Sequence, residues 1–460
     1  MHTDTLTLDA GHVGAARQQP RRTARFDARG CPVSARSQAA IDHAEQAQWH
    51  MLSYCGDALQ PLDAAIEADP LWALPHVMKA NLMACSSEYG LGQLGLASLA
   101  AAEALAGGAN ERERAHIAAT RLCLQGHWAQ ACEAWERILL QHPQDIAALS
   151  AAHIFDFCRG DARNLQRRVT RVLPQWSHDM PLYGFVLGLH AFGLEENNHH
   201  AQAQEAALAA LAIERRDCWA VHAIAHVHEM RGEYAQGAAF LRARTPDWAP
   251  DNGFAFHNWW HLALFHLEQM DTAAVLELFD RHIGPGTQQD LQRIDATAML
   301  WRLKLLGVDV GRRFEAAAQA WPQQPPAIGH YAFTDMHVLL ALLGAGRIDE
   351  AGQVLEAVRR KAGERSTMGT MAAEVGVPLL QALMDHGRGR HAQAAQALWA
   401  LRDGLHRFGG SHAQRDLLDL TLMDAALRGG ERRLARHLMN ERLPAKAQSP
   451  LTQHWAGRIG

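Results

Sequence analysis

Apolar positions in this chain recur at helical spacing, in segments of about 12 to 16 residues, and the alternating Val/Ile/Thr runs that mark strands are missing. Small breakers separate the segments: Gly126-His127-Trp128, Gly160-Asp161, Asn197-Asn198, Gly232-Glu233-Tyr234, Asp271-Thr272, Gly307, Gly346-Arg347, Gly387-Arg388 and Gly429-Gly430. They fall about 34 to 42 residues apart, which is the range of helix-pair repeats. Several are followed by a segment rich in alanine and glycine, as at residues 128–135, 234–240 and 348–355. Small side chains let a second helix lie close against the first. The pattern therefore predicts an all-α superhelix, a solenoid of about ten helical hairpins. Its expected limits are residues 38 and 443, with an amino-terminal arm over 1–37 and a carboxy-terminal tail over 444–460, each loose or draped over the array. Two wider interruptions are expected, at 245–253 and at 322–329, where three prolines exclude a continuous helix.

Composition changes this picture little. Of 460 residues, 48% are hydrophobic and 20% charged, enough apolar material for a large core. The formal net charge is −5, and no Lys/Arg block suggests a nucleic-acid footprint, so nucleic acid is not an expected partner. No apolar run approaches the roughly 18 residues of a membrane span, and the first 30 or so residues lack a signal-peptide core. Seven cysteines, an odd number without a CxxC pair, read as reduced thiols in a cytoplasmic protein. The excess is in histidine, with 28 residues.

Two stretches concentrate that excess: His222-Ala-Ile-Ala-His226-Val-His228-Glu229, and His257-Asn258-Trp259-Trp260-His261. Each places two imidazoles four residues apart, on one face of a helix and about one turn from each other. His222, His226 and Glu229 share a stripe roughly 60° wide, and His228 points elsewhere. If the two helices are neighbours, four histidines and a carboxylate converge.

The run from His222 through Glu229 to Gly232, then Trp248, then His257-Asn258-x-Trp260-His261, resembles the tetratricopeptide repeat protein 38 family. Further matches are Phe192-Gly193-Leu194-Glu195-Glu196-Asn197, Asp295-x-x-x-x-Leu300-Trp301-Arg302-Leu303, Phe333-x-Asp335-x-His337, and Gly409-Gly410-Ser411-x-Ala413-Gln414-Arg415-Asp416. The resemblance spans most of the chain after residue 30. It implies a superhelix of tetratricopeptide-like hairpins and implies no particular reaction.

In such a stack the first helices of successive hairpins face inward. The breakers make residues 219–231 and 256–270 two consecutive first helices, with axes about 8–10 Å apart. Later inner helices carry Asp295, then Asp335 with His337, then Glu374, then His412, Arg415 and Asp416; an earlier one carries His153 and Asp156. Neutral imidazoles at i and i+4 suit Zn²⁺, Fe²⁺, Mn²⁺ or Ni²⁺, so His222, His226, His257 and His261 are candidate metal ligands. Glu229, Asp335 and Asp416 are candidate bases or supports for a ligand imidazole. Arg415, Gln414, His337 and Trp260 are candidate substrate contacts, Arg415 for an anionic group. No nucleotide cofactor is indicated.

A metal-free polar core in which His and Asp satisfy one another competes on equal terms. The HExxH order of zinc proteases is absent, since Glu229 follows the second histidine. Gly409-Gly410-Ser411 reads first as a loop ending in a serine N-cap. Two functions follow. One is a metal-dependent enzyme acting on a small molecule, with hydrolysis slightly ahead of oxidation or isomerisation. The other is a non-catalytic scaffold gripping a peptide or partner helix in its groove. A pH switch ranks third. Homo-oligomerisation is left open.

Overall fold

The computed structural model describes residues 25–285, 288–322 and 327–459. Its inner helices are buried all round: Cys218–Met230 buries eleven of its 13 residues. The neighbouring outer helix His200–Ile213 buries only Ala203, Ala207, Ala210 and Leu211. That contrast follows from the sequence, where the first segment of a repeat is continuously apolar and the second carries a stripe of small residues. Among the described residues eleven helical hairpins succeed one another, from Gln38–Ser53 with Leu59–Ala68 to His412–Arg428 with Arg432–Ala445. The fold is an all-α superhelix of tetratricopeptide-like hairpins.

Close approach of helices depends on small residues at defined places. A Cβ on Gly237 would lie 2.4 Å from the Phe265 ring, so glycine lets the outer helix Tyr234–Ala243 lie against Ala255–Glu268. Gly160 has a positive φ of +67°, and a Cβ there would sit 1.7 Å from the His406 carbonyl oxygen. No side chain fits at that junction.

Gly160 touches residue 406 because the superhelix closes on itself. The Tyr331 hydroxyl shares its one proton between the carbonyls of Cys158 (2.8 Å) and Phe408 (3.1 Å). Thr367 N donates to Gly126 O at 3.1 Å, and Ala129 N to Thr367 Oγ1 at 3.1 Å. Asp290 N donates to Glu88 Oε1 at 3.0 Å, and Gly253 N to Tyr54 O at 2.7 Å. Each bond joins hairpins distant in sequence. The concave side is therefore lined by packed first helices, and His153, Asp156, Asp295, Asp335 and His337 on them are buried.

Of the two arrangements expected for the ends, loose or draped, the described residues show the second. Residues 1–24 lie outside the described residues. Residues 25–37 are packed and not loose: Arg25–Phe26 pairs antiparallel with Pro32–Val33. Arg29 pairs with Glu45 at 2.5 Å and Ser34 N donates to Glu113 at 2.9 Å, which ties this hairpin to two helices. The tail expected from residue 444 is likewise structured. A helix runs through Ala445, another spans Pro450–Ile459, and Trp455 is fully buried. An apolar helix face with a tryptophan supplied the docking surface that a charge count over the last residues does not reveal.

The interruption at 245–253 contains one short helix, Thr245–Trp248, whose buried Trp248 donates from Nε1 to Leu241 O at 2.9 Å. Residues 323–326 of the proline-rich interruption lie outside the described residues. No helix among the described residues is long and apolar enough to cross a membrane.

Candidate metal centre

Asp217 starts the helix that carries the first histidine pair, its side chain accepting from Trp219 N and Ala220 N. Phe254 precedes the helix Ala255–Glu268, which carries the second. The two helices are neighbours and direct all four rings at one another. Ring centroids of His226 and His261 stand 4.6 Å apart, and those of His222 lie 4.4, 4.9 and 4.8 Å from His226, His257 and His261. None of the four residues is more than 4% exposed.

The nitrogens are ordered within this cluster. His222 Nε2 faces His226 Nε2 at 3.0 Å and His257 Nε2 at 3.1 Å. The opposite nitrogens face carboxylates: His257 Nδ1 lies 2.7 Å from Asp295 Oδ2, His226 Nδ1 3.1 Å from Glu195 Oε2, and His261 Nδ1 3.8 Å from Glu229 Oε2. A ring that gives its Nδ1 proton to a carboxylate presents a bare lone pair at Nε2. His257 gives its Nδ1 proton to Asp295, so His222 Nε2 meets a bare lone pair there and has at most one proton to share between His257 and His226. A cation at the meeting point would relieve this crowding of lone pairs. Adjacent nitrogens on an ion with bonds of about 2.1 Å stand roughly 3.0 to 3.4 Å apart, depending on coordination number. The observed separations match the lower end of that range.

Unsatisfied atoms point the same way. Both nitrogens of His261, His222 Nδ1, Asp295 Oδ1 and both oxygens of Glu195 are buried without a hydrogen-bond partner among the described residues. Burial, followed by the neighbouring imidazoles, holds His222 and His261 well below the ordinary histidine range, in the neutral form that ligates. For His226 burial acts in the same direction, but Glu195 outweighs it and raises the ring. Burial lifts Asp295, against the pull of His257 and Arg302. Among the described residues neither Glu195 nor Asp295 pairs with a lysine or arginine. A cation held on the imidazoles would balance carboxylates placed in this way.

Aromatic rings wall the cluster. Trp260 stacks on His257 at 5.3 Å and 13°, Phe192 and Phe254 lie 5.1 and 5.3 Å from His222, and Trp219 presents its edge at 5.6 Å. Arg302 sits 5.4 Å over Trp260.

Of the residues expected at the site, His222, His226, His257, His261, Glu229 and Trp260 are brought together. The others are placed elsewhere or reach it only through partners. Asp335 accepts from Gly329 N at 2.7 Å and holds a loop, while His337 Nδ1 bonds to Phe333 O at 2.9 Å within its own helix. Gln414 forms a capping box with Ser411, so the serine N-cap expectation holds. Arg415 donates to Gly410 O and lies 3.6 Å from Glu196. Asp416 is neutralised by Arg442 at 2.6 Å. Sequence reasoning missed Glu195 as a partner of His226 and did not assign Asp295 to His257. Glu195 lies in the Phe192–Asn197 motif quoted above, one hairpin upstream, and only the packing of that hairpin reveals its role. Donor atoms of His222, His226 and His261 lie within 4.8 Å of one another, as do those of a second, acidic group, Glu195 and Glu196 with His226. There Glu196 accepts from His412 N at 3.1 Å and faces Arg415, which assigns it to bridging helices.

Fold and cluster together define a closed helical-repeat protein with a buried centre of four histidines and three carboxylates. No protein-family model matches the chain. Among solved structures it is similar to the human IFIT1 dimer with m7Gppp-AAAA, at 12% identity over 91% of this chain and 94% of that one, TM-score 0.42. It is also similar to the human IFIT1 dimer with PPP-AAAA, at 13% identity over 92% and 90%, TM-score 0.37. At these values neither assigns a ligand to this chain.

Proposed function

We propose that the protein holds one divalent transition-metal ion (Zn, Fe or Mn) at His222, His226, His257 and His261, and acts with it on a small molecule. Hydrolysis stands ahead of oxidation or isomerisation. The observation that carries this reading is His222 Nε2 facing two further Nε2 atoms at 3.0 and 3.1 Å, with carboxylates behind them. A bound ion of this kind acidifies its water and polarises a carbonyl or phosphoryl group. Asp295 and Glu195 fix the ring orientations of His257 and His226. Phe192, Trp219, Phe254 and Trp260 exclude water. Of the three carboxylates expected to move a proton, Glu229 alone stands at the donor set, and proton transfer is assigned to it.

Membership of the tetratricopeptide repeat protein 38 family belongs to this proposal, on the motifs quoted above. So does a cytoplasmic location, on seven free thiols. The ligand class remains a small molecule, and nucleic acid stays outside the reading.

One observation favours a second reading. All four rings are sealed, and sealed sets of four protein donors are typical of structural metal ions. In that case the metal fixes the superhelix, and the protein is a non-catalytic scaffold for a peptide or partner helix. Metal analysis after reconstitution is the first test: about one ion per native chain is expected, with loss in the His226→Ala/His261→Ala double variant. A folded native chain without bound metal refutes the centre. Replacement by Co²⁺ and titration with azide then separates the two readings. A changed visible spectrum means an open coordination position and supports the enzyme; an unresponsive spectrum supports the scaffold.

A further inference from the structure

The carboxy-terminal segment reaches the centre. Lys446, at the end of the helix Arg432–Ala445, is buried. Its Nζ stands 2.6 Å from Glu268 Oε1, 3.4 Å from Glu229 Oε1 and 3.8 Å from Asp416 Oδ2. Glu229 and Glu268 belong to the two histidine helices themselves. Glu229 thus divides its carboxylate, Oε1 toward Lys446 and Oε2 toward His261 Nδ1. Ser449 fastens the same segment: its hydroxyl donates to Glu268 Oε2 and accepts from Thr452 N at 3.0 Å. Arg442 donates to Thr452 Oγ1 at 3.2 Å while gripping Asp416. Farther along, Trp455 is buried and Arg458 lies 4.3 Å over its ring.

We propose that Lys446 is a positioning residue of the metal centre, holding Glu229 against His261, and that residues 446–459 seal the donor set from water. The inference rests on the metal reading above. Stability alone is a poor account of this lysine, because a buried ion pair is often matched or exceeded by apolar side chains of similar volume. The arrangement instead links two helices that must keep their histidines in register. Burial opposes the charge on Lys446, but Asp416, Glu268 and Glu229 prevail and keep it protonated well above the ordinary lysine range. The tether is therefore permanently charged.

Simple electrostatics predicts the opposite outcome, which makes the idea sharp. Removing an ammonium near a cation site leaves the site more negative, so Coulomb's law alone predicts tighter metal binding. Loss of positioning predicts weaker binding. The test uses the full chain loaded with Zn²⁺, following metal transfer to excess EDTA and affinity by competition, with helicity by circular dichroism as a control. Lys446→Met is expected to weaken affinity about 10- to 100-fold, as losses of supporting groups behind metal ligands do, and to speed release similarly. Lys446→Arg, which keeps the charge, is expected to retain most of the native affinity. If Lys446→Met does not fold, Ser449→Ala loosens the segment while sparing the lysine, and faster release is again expected. Unchanged or tighter binding in Lys446→Met, or in Ser449→Ala where it is the variant used, overturns the proposal. A native chain that takes up no metal sinks the centre itself; a native chain that loads normally beside an unaltered variant sinks only this role of Lys446.

Discussion

Asp295 gives the residue scale its clearest test. Its Oδ2 lies 2.7 Å from His257 Nδ1, and its other oxygen is buried without a hydrogen-bond partner among the described residues. The carboxylate selects the tautomer in which His257 Nε2 carries a lone pair, the form required of a ligand. Asp295→Asn keeps the shape but removes the charge, and its amide can present a donor where an acceptor is needed. Metal affinity should fall about 10- to 100-fold, measured by competition with a chromophoric chelator, while helicity stays native. Equal affinity in the variant would mean that Asp295 serves only the fold. The motif around Asp295 was legible in the sequence, but its partner was not, because the two residues lie on different hairpins, 38 positions apart.

Single elements are held by carboxyl groups that the fold has forced out of water. Asp217 caps the His222 helix and Asp335 holds the turn before the helix Ala332–Gly344. Burial raises each from the ordinary 3.8 to about 8. The folded chain therefore keeps these protons over a range in which the unfolded chain has released them. Their contribution to stability is complete below about pH 4 and declines as pH rises toward about 8. Denaturant midpoints measured across that interval should fall with pH, after allowance for other groups. Asp335→Asn, which still accepts the Gly329 N–H, should flatten part of the slope and raise stability at pH 8 to 9. A slope unaltered by the substitution would show that Asp335 is ionised in the folded protein. Helix ends such as these were readable from the sequence: the histidine helices were expected at 219–231 and 256–270 and are found at Cys218–Met230 and Ala255–Glu268. Depth of burial was not readable, since an N-cap aspartate looks the same on an exposed helix and an enclosed one.

Closure governs the molecule as a whole. Tyr331 bridges the carbonyls of Cys158 and Phe408, joining hairpins that are far apart in the chain. Tyr331→Phe leaves the ring in place and removes the shared bond, one of the few changes that address the seam alone. That bond contributes about 0.5 to 1.5 kcal/mol, with a further cost for carbonyls left unpaired. Amide exchange near residues 158–160 and 406–409 should accelerate, while exchange in the histidine helices stays slow. Loss of protection throughout the chain would mean that the seam and the centre open as one unit. The same closure constrains the scaffold reading, because the concave side is lined by packed first helices.

The order of hairpins, the inner and outer helices of each, and the two histidine pairs with Glu229 were determined by the sequence alone. These are consequences of local periodicity, with every decisive residue within a turn or two of its neighbours. The tertiary structure decided which distant residues share the enclosed space. It supplied Glu195 and Asp295 as partners of the rings, drew Lys446 in from what looked like a tail, and left Asp335 and Gln414 to hold turns. Small rotations between successive hairpins add up over the whole chain, and no single segment encodes their sum.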